Sequence, residues 1–177
     1  MRHTVQINRA PVLTLWAAIV AERLGHDPEA ALTLGKTLAG LNAQSKGRRL
    51  GIFEEASPEA KRAKPRPPAA RARFVPLLGR SVPAMQTREG LRAVVGDKPV
   101  EPASVERYLE QKFGDALDDV RTALHALARA FPPGELAEVG FALYERFRPS
   151  IPEGKRGWGA AGTLDLDLIR KLARRAE

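Results

Sequence analysis

Ten lysines and arginines crowd into the stretch from Lys46 to Arg80, against three glutamates. The rest of the 177-residue chain holds nineteen basic and eighteen acidic residues, so this stretch carries +7 of a formal net charge of +8. Nine of its cations are the candidate contacts: Lys46, Arg48, Arg49, Lys61, Arg62, Lys64, Arg66, Arg71 and Arg73, six of them arginines. Guanidinium forks match phosphate oxygens, and a polycation releases the counterions condensed on a nucleic acid. The chemistry on offer is phosphate neutralisation, on duplex DNA first of all, with little dependence on base sequence. A solvated linker kept soluble by its charge has the same composition. Only Phe53 and Phe74 flank the run, so rings for stacking bases are sparse.

A second phosphate chemistry is spelled by Gly157 to Gly162, GWGAAG, a literal GxGxxG. A dinucleotide site needs a strand just before it, and the preceding PSIPEGKR is no strand. What survives is a simpler phosphate loop over 154–163, using Lys155, Arg156, Gly157 and Gly159 ahead of a helix expected to be capped by Thr163. The competing reading is an ordered surface loop in which Trp158 fills a hydrophobic pocket.

Catalytic chemistry has little to work with. The chain has no cysteine, which removes disulfides, thiolate zinc sites and cysteine nucleophiles together. Of three histidines, His3 lies near a terminus expected to fray, His26 in a turn, and His125 opposite an apolar stripe, facing solvent. Asp165 and Asp167, two apart on a helix, point in different directions and make a poor carboxylate pair. No catalytic residue, metal site or cofactor is assigned, and an enzyme is the third choice.

The elements that must position these groups read mainly as α-helix. Val12, Leu13, Trp16, Ile19, Val20 and Leu24 place a deeply buried helix over Pro11–Leu24, stopped by Gly25. Asp27-Pro28-Glu29 starts a second, with Ala31, Leu34, Leu38 and Leu41 on one face. Gly35 and Gly40 allow close approach to the first. Gly47 is expected to end that helix before the arginines arrive, leaving Lys46, Arg48 and Arg49 in a loop tethered by Leu50, Ile52 and Phe53. As a helix-turn-helix, the second helix would present Glu29, Thr33, Lys36 and Thr37 to DNA, a poor set with one cation, so a core hairpin is preferred. Prolines 65, 67 and 68 predict an extended connector. AMQT and LRAVVG around Arg88-Glu89-Gly90 suggest a minor β-hairpin near 84–96. Further helices are expected over Pro102–Phe113, from Asp115 (as cap) through Phe131, over Pro133–Arg148, and after Thr163.

The expected architecture is about six helices. An N-terminal αα-hairpin (1–56) packs with a C-terminal helical bundle (81–177) as one globular unit, with a basic connector (57–80) between them. The polar N-terminus lacks a signal-peptide core, and the longest apolar run is too short to span a bilayer. A cytoplasmic protein with no membrane partner is expected. The segments INRAPVLTLWAAIVAERLG, LNAQSKGRRLGIF and RGWGAAGTLDLDLI resemble a family of small uncharacterised bacterial proteins. The resemblance implies a bacterial, cytoplasmic, non-chimeric chain and adds no catalytic residue. The leading expectation is a non-catalytic nucleic-acid-binding protein. The alternative is a protein-interaction or homodimerisation module, motivated by the breadth of apolar surface on the first helix.

Overall fold

The computed structural model describes residues 4–49, 72–95, 98–150 and 162–176, with side chains except at 42–49, 72–73 and 175–176. These residues are mainly α-helical: α1 (Arg9–Arg23), α2 (Pro28–Arg49), α3 (Pro102–Phe113), α4 (Leu117–Arg129), α5 (Pro133–Phe147) and α6 (Leu166–Ala176). Two small antiparallel sheets join them. One pairs β1 (Thr4–Ile7) with β6 (Gly162–Asp165); the other has the order β2 (Ala72–Leu77), β3 (Arg80–Thr87), β4 (Gly90–Val95), β5 (Lys98–Pro99). No helix among the described residues is long and apolar enough to cross a membrane.

The core is organised around α1. Every residue from Pro11 to Ala21 is buried, so the helix needs cover on all sides. It packs against α2, α3, α4, α5 and β2. The apolar breadth that could have been reserved for a partner is thus covered by the chain itself. Three α1 side chains, spaced seven apart, fasten it to α5. Arg9 Nε donates to the Pro149 carbonyl (3.0 Å) beyond the end of α5. Trp16 Nε1 donates to the Gly140 carbonyl (2.9 Å) at its middle. Arg23 donates through Nη2 (3.0 Å) and Nε (3.3 Å) to the Phe131 carbonyl before its start. The two helices therefore run antiparallel. The Trp16 ring meets Phe147 edge-on at 5.3 Å. Tyr144 donates its hydroxyl to the Arg9 carbonyl (3.4 Å), and burial pushes its pKa far up, which keeps it a donor.

The α1–α2 turn follows its capping residues. Gly25 has φ 108°, and Asp27 Oδ2 accepts from the Ala30 N–H (3.3 Å). At Gly35 the two helices touch backbone to backbone. A Cβ there would lie 2.4 Å from the Thr14 carbonyl oxygen and 2.9 Å from the Ala18 nitrogen, whereas one at Gly40 would meet open space.

Several elements depart from the sequence reading. The helix α2 runs through Gly47 to Arg49, because one glycine costs a helix only about 1 kcal/mol. Strand β2 and the start of β3 lie inside the stretch read as connector. Val75, Leu77, Val82 and Ala84 alternate inward and are buried. The β2–β3 turn is Leu78-Gly79, with φ 51° and 77°, the pair of positive values a type I′ turn needs. Leucine is a poor residue there, and its strain is offset by burying the side chain to 4% exposure. The expected hairpin near 84–96 is one part of this larger sheet, and β4 pairs with β3 only over Ala84–Thr87. Pro83 sits where that pairing stops and its missing N–H is not needed. Next to the terminus expected to fray, Thr4–Ile7 pair with Gly162–Asp165; His3 itself lies outside the described residues. Thr163 is a strand residue, and α6 is capped by Asp165, whose Oδ1 accepts from the N–H groups of Asp167 (3.0 Å) and Leu168 (3.3 Å). Asp115 does not cap α4; it lies in the 3-10 turn Gly114–Ala116.

Gly35→Ala should destabilise the fold by about 2–3 kcal/mol, the cost of overpacking, and Gly40→Ala should stabilise it by about 0.5–1 kcal/mol. Urea midpoints of the two variants read both signs; an unchanged midpoint for Gly35→Ala would remove the close helix contact.

Candidate nucleic-acid interface

The nine candidate cations divide by position. Lys46, Arg48 and Arg49 lie on the last turn of α2, and Arg73 lies on β2 opposite Ala84. Lys61, Arg62, Lys64, Arg66 and Arg71 lie outside the described residues. The helix that carries the first three buries Ala30, Ala31, Leu34, Leu38 and Ala39 in the core, and its backbone continues ten residues past Ala39 to Arg49. At 1.5 Å per residue those ten extend about 15 Å. Both described ends of the basic stretch are anchored on one scaffold. α2 packs against β3 and β4, β2 pairs with β3, and the buried residues of both halves form a single cluster.

The N-terminal half of α2 is not available as a recognition helix. Of the side chains it would have offered to DNA, Glu29, Thr33 and Lys36 are engaged within the chain and Thr37 is buried. Glu29 Oε2 accepts from Arg92 Nη2 (2.8 Å). The Thr33 hydroxyl donates to the Ala30 carbonyl (2.7 Å) and accepts from the Ala93 N–H (2.9 Å), satisfying a strand amide. Lys36 Nζ lies 3.5 Å from the centre of the Tyr108 ring. Burial, and then Lys112, lower the Lys36 pKa. Thr37 is buried. The partners Arg92, Ala93 and Tyr108 are not visible in the local pattern, because they lie on β4 and α3.

Two clefts among the described residues gather polar side chains. One, of about 270 Å³, opens between α1, α2, α3 and α4 over an apolar floor of Leu15, Ala18, Ile19 and Leu32. Its rim carries Glu22, His125 and the Arg121–Glu106 ion pair, in which Arg121 Nη2 reaches both carboxylate oxygens (2.9 and 3.2 Å). His125, read from sequence as facing solvent, is half-buried here because α4 turns that face toward α1. No hydroxyl or thiol lines this cleft. The other, about 300 Å³, surrounds Arg92 beside Glu29, Glu89 and Glu101. Arg92 is buried and ties the β3–β4 hairpin to the start of α2, donating also to the Leu91 carbonyl (2.9 Å). Among the described residues no three His, Asp or Glu side chains are grouped to hold a metal ion. The phosphate loop with Lys155, Arg156, Gly157 and Gly159, and Trp158 within it, lies outside the described residues.

No family model, curated protein or solved structure matches this chain.

Burial lowers the His125 pKa below its usual 6.5, outweighing the opposing pull of Glu22; Arg129 and Arg121 lower it further. The unfolded chain then binds this proton more readily than the folded one. The His125 contribution therefore destabilises the fold as pH falls below about 6.5 and levels off below the folded pKa. Urea midpoints between about pH 7.5 and 5 should fall for the wild type, and fall less for His125→Gln. Parallel curves would contradict the burial of this imidazole.

Proposed function

We propose that this is a non-catalytic nucleic-acid-binding protein that grips phosphates through the basic stretch Lys46–Arg73, with duplex DNA as the reference partner. One observation carries the reading: the stretch Lys46–Arg80, which contains these cations, has a net charge of +7, and the rest of the chain has +1. Such a division is what phosphate neutralisation needs, and folding does not require it. The helix dipole offers a competing reason for cations at the end of α2, worth about 0.3–1 kcal/mol each. It accounts for Lys46, Arg48 and Arg49 and for none of the six cations from Lys61 to Arg73. Support also comes from the continuation of α2 to Arg49, which places Lys46, Arg48 and Arg49 together on one helical turn. Contacts of this kind order the protein on the backbone and are blind to sequence.

Titration of a labelled duplex tests this. If six or more cations meet phosphates, affinity should fall by about a thousand-fold or more between about 50 and 200 mM salt. Replacing Lys46, Arg48 and Arg49 together with alanine should flatten the log–log salt slope by about 2.7. Affinity indifferent to salt would overturn the proposal.

A further inference from the structure

The cleft between α1, α2, α3 and α4 joins an apolar floor to one carboxylate that the fold leaves without a partner. Leu15, Ala18 and Ile19 of α1 and Leu32 of α2 form the floor. The three α1 residues are at most 2% exposed, so the floor is the surface of the core itself. The space measures about 270 Å³, more than the roughly 150 Å³ that accommodates a benzene ring inside a protein. A ring or a short alkyl chain therefore fits, and would cover apolar surface that now faces water.

The charges on the rim do not balance. Arg121 and Glu106 answer each other, with Arg121 Nη2 on both carboxylate oxygens at 2.9 and 3.2 Å. Arg23, next to Glu22 in the chain, turns instead to the Phe131 carbonyl. His125 is near enough to Glu22 to feel its charge, but burial keeps the imidazole neutral at pH 7, so it supplies no counter-charge. Arg129 acts on His125 from one turn away and does not line the cleft. Among the described residues the Glu22 carboxylate has no hydrogen bond and no ion pair. An unpaired glutamate on an exposed helix face is ordinary. Glu22 directly follows the buried run Pro11–Ala21 and is itself half-buried, where the apolar floor ends.

A single negative charge beside an apolar floor complements a ligand with an ammonium at one end and a small apolar body. An anionic ligand would meet Glu22 with like charge and find Arg121 already held by Glu106. We propose that this cleft binds a small amphipathic amine, its ammonium on Glu22 and its ring or alkyl chain over Leu15, Ile19 and Leu32. The site stands apart from the basic stretch, and its ligand is opposite in charge to a phosphate.

Benzylamine is the probe, titrated into the full chain at pH 7 and followed by NMR through the His125 ring protons, which should shift saturably. Benzyl alcohol keeps the ring and loses the charge; methylamine keeps the charge and loses the ring. Each should bind at least about ten-fold more weakly. Glu22→Gln keeps the shape of the side chain and should bring benzylamine down to the affinity of benzyl alcohol. Its thermal melt should be unchanged, because the carboxylate makes no bond within the described chain. The inference is overturned if benzylamine gives no saturable shift, if benzoate binds as tightly as benzylamine, or if Glu22→Gln binds the amine as the wild type does.

Discussion

A helix with no solvent-facing side constrains everything else in this molecule. From Pro11 to Ala21, α1 buries each residue in turn, so the remaining elements must form a sheath around it. Such a helix has few ways to fix its rotation and depth through shape alone, since its surface is apolar all round. Arg9, Trp16 and Arg23 supply that information. They lie two turns apart on one face and donate to carbonyls at the end, middle and start of α5. On the other side, Gly35 lets α2 approach until the backbones touch. A helix clamped on one side and in close contact on the other fixes where α2 points, and with it the backbone that carries Lys46, Arg48 and Arg49.

The same packing explains why phosphate-binding chemistry is displaced from the scaffold. The polar residues of α2 that look available in the sequence are consumed in joining layers: Glu29 to β4, Thr33 to β4, Lys36 to α3. The scaffold's own charges nearly cancel, and its buried cation, Arg92, is a fastener. Charge in excess is concentrated in the stretch that leaves α2 and re-enters at β2.

How much of this could be read from the sequence depends on the range of the interaction. Helices with a strong local signal were legible: Asp27-Pro28 and Gly25 mark the α1–α2 turn, and Pro102 and Gly114 bracket α3. The sheets were legible only in part. The Arg88-Glu89-Gly90 turn is a familiar hairpin signal, but Leu78-Gly79 is not, because a leucine at positive φ is held by tertiary burial and no local cue announces it. The β1–β6 pair joins four-residue strands more than 150 residues apart in the chain, beyond the reach of any window. Overreading a single glycine ended α2 too early. For the candidate site, composition identified the cations, and the cleft beside Glu22 needed the packing of four helices to be known.

Native-state hydrogen exchange in α1 tests the central constraint most directly. If the rest of the fold is a sheath around this helix, the amides from Val12 to Ala21 can exchange only when the whole structure unfolds, with the free energy and denaturant dependence of global unfolding. They should be the slowest in the protein. Exchange of α1 through a local opening, well below the global free energy and insensitive to denaturant, would contradict the account.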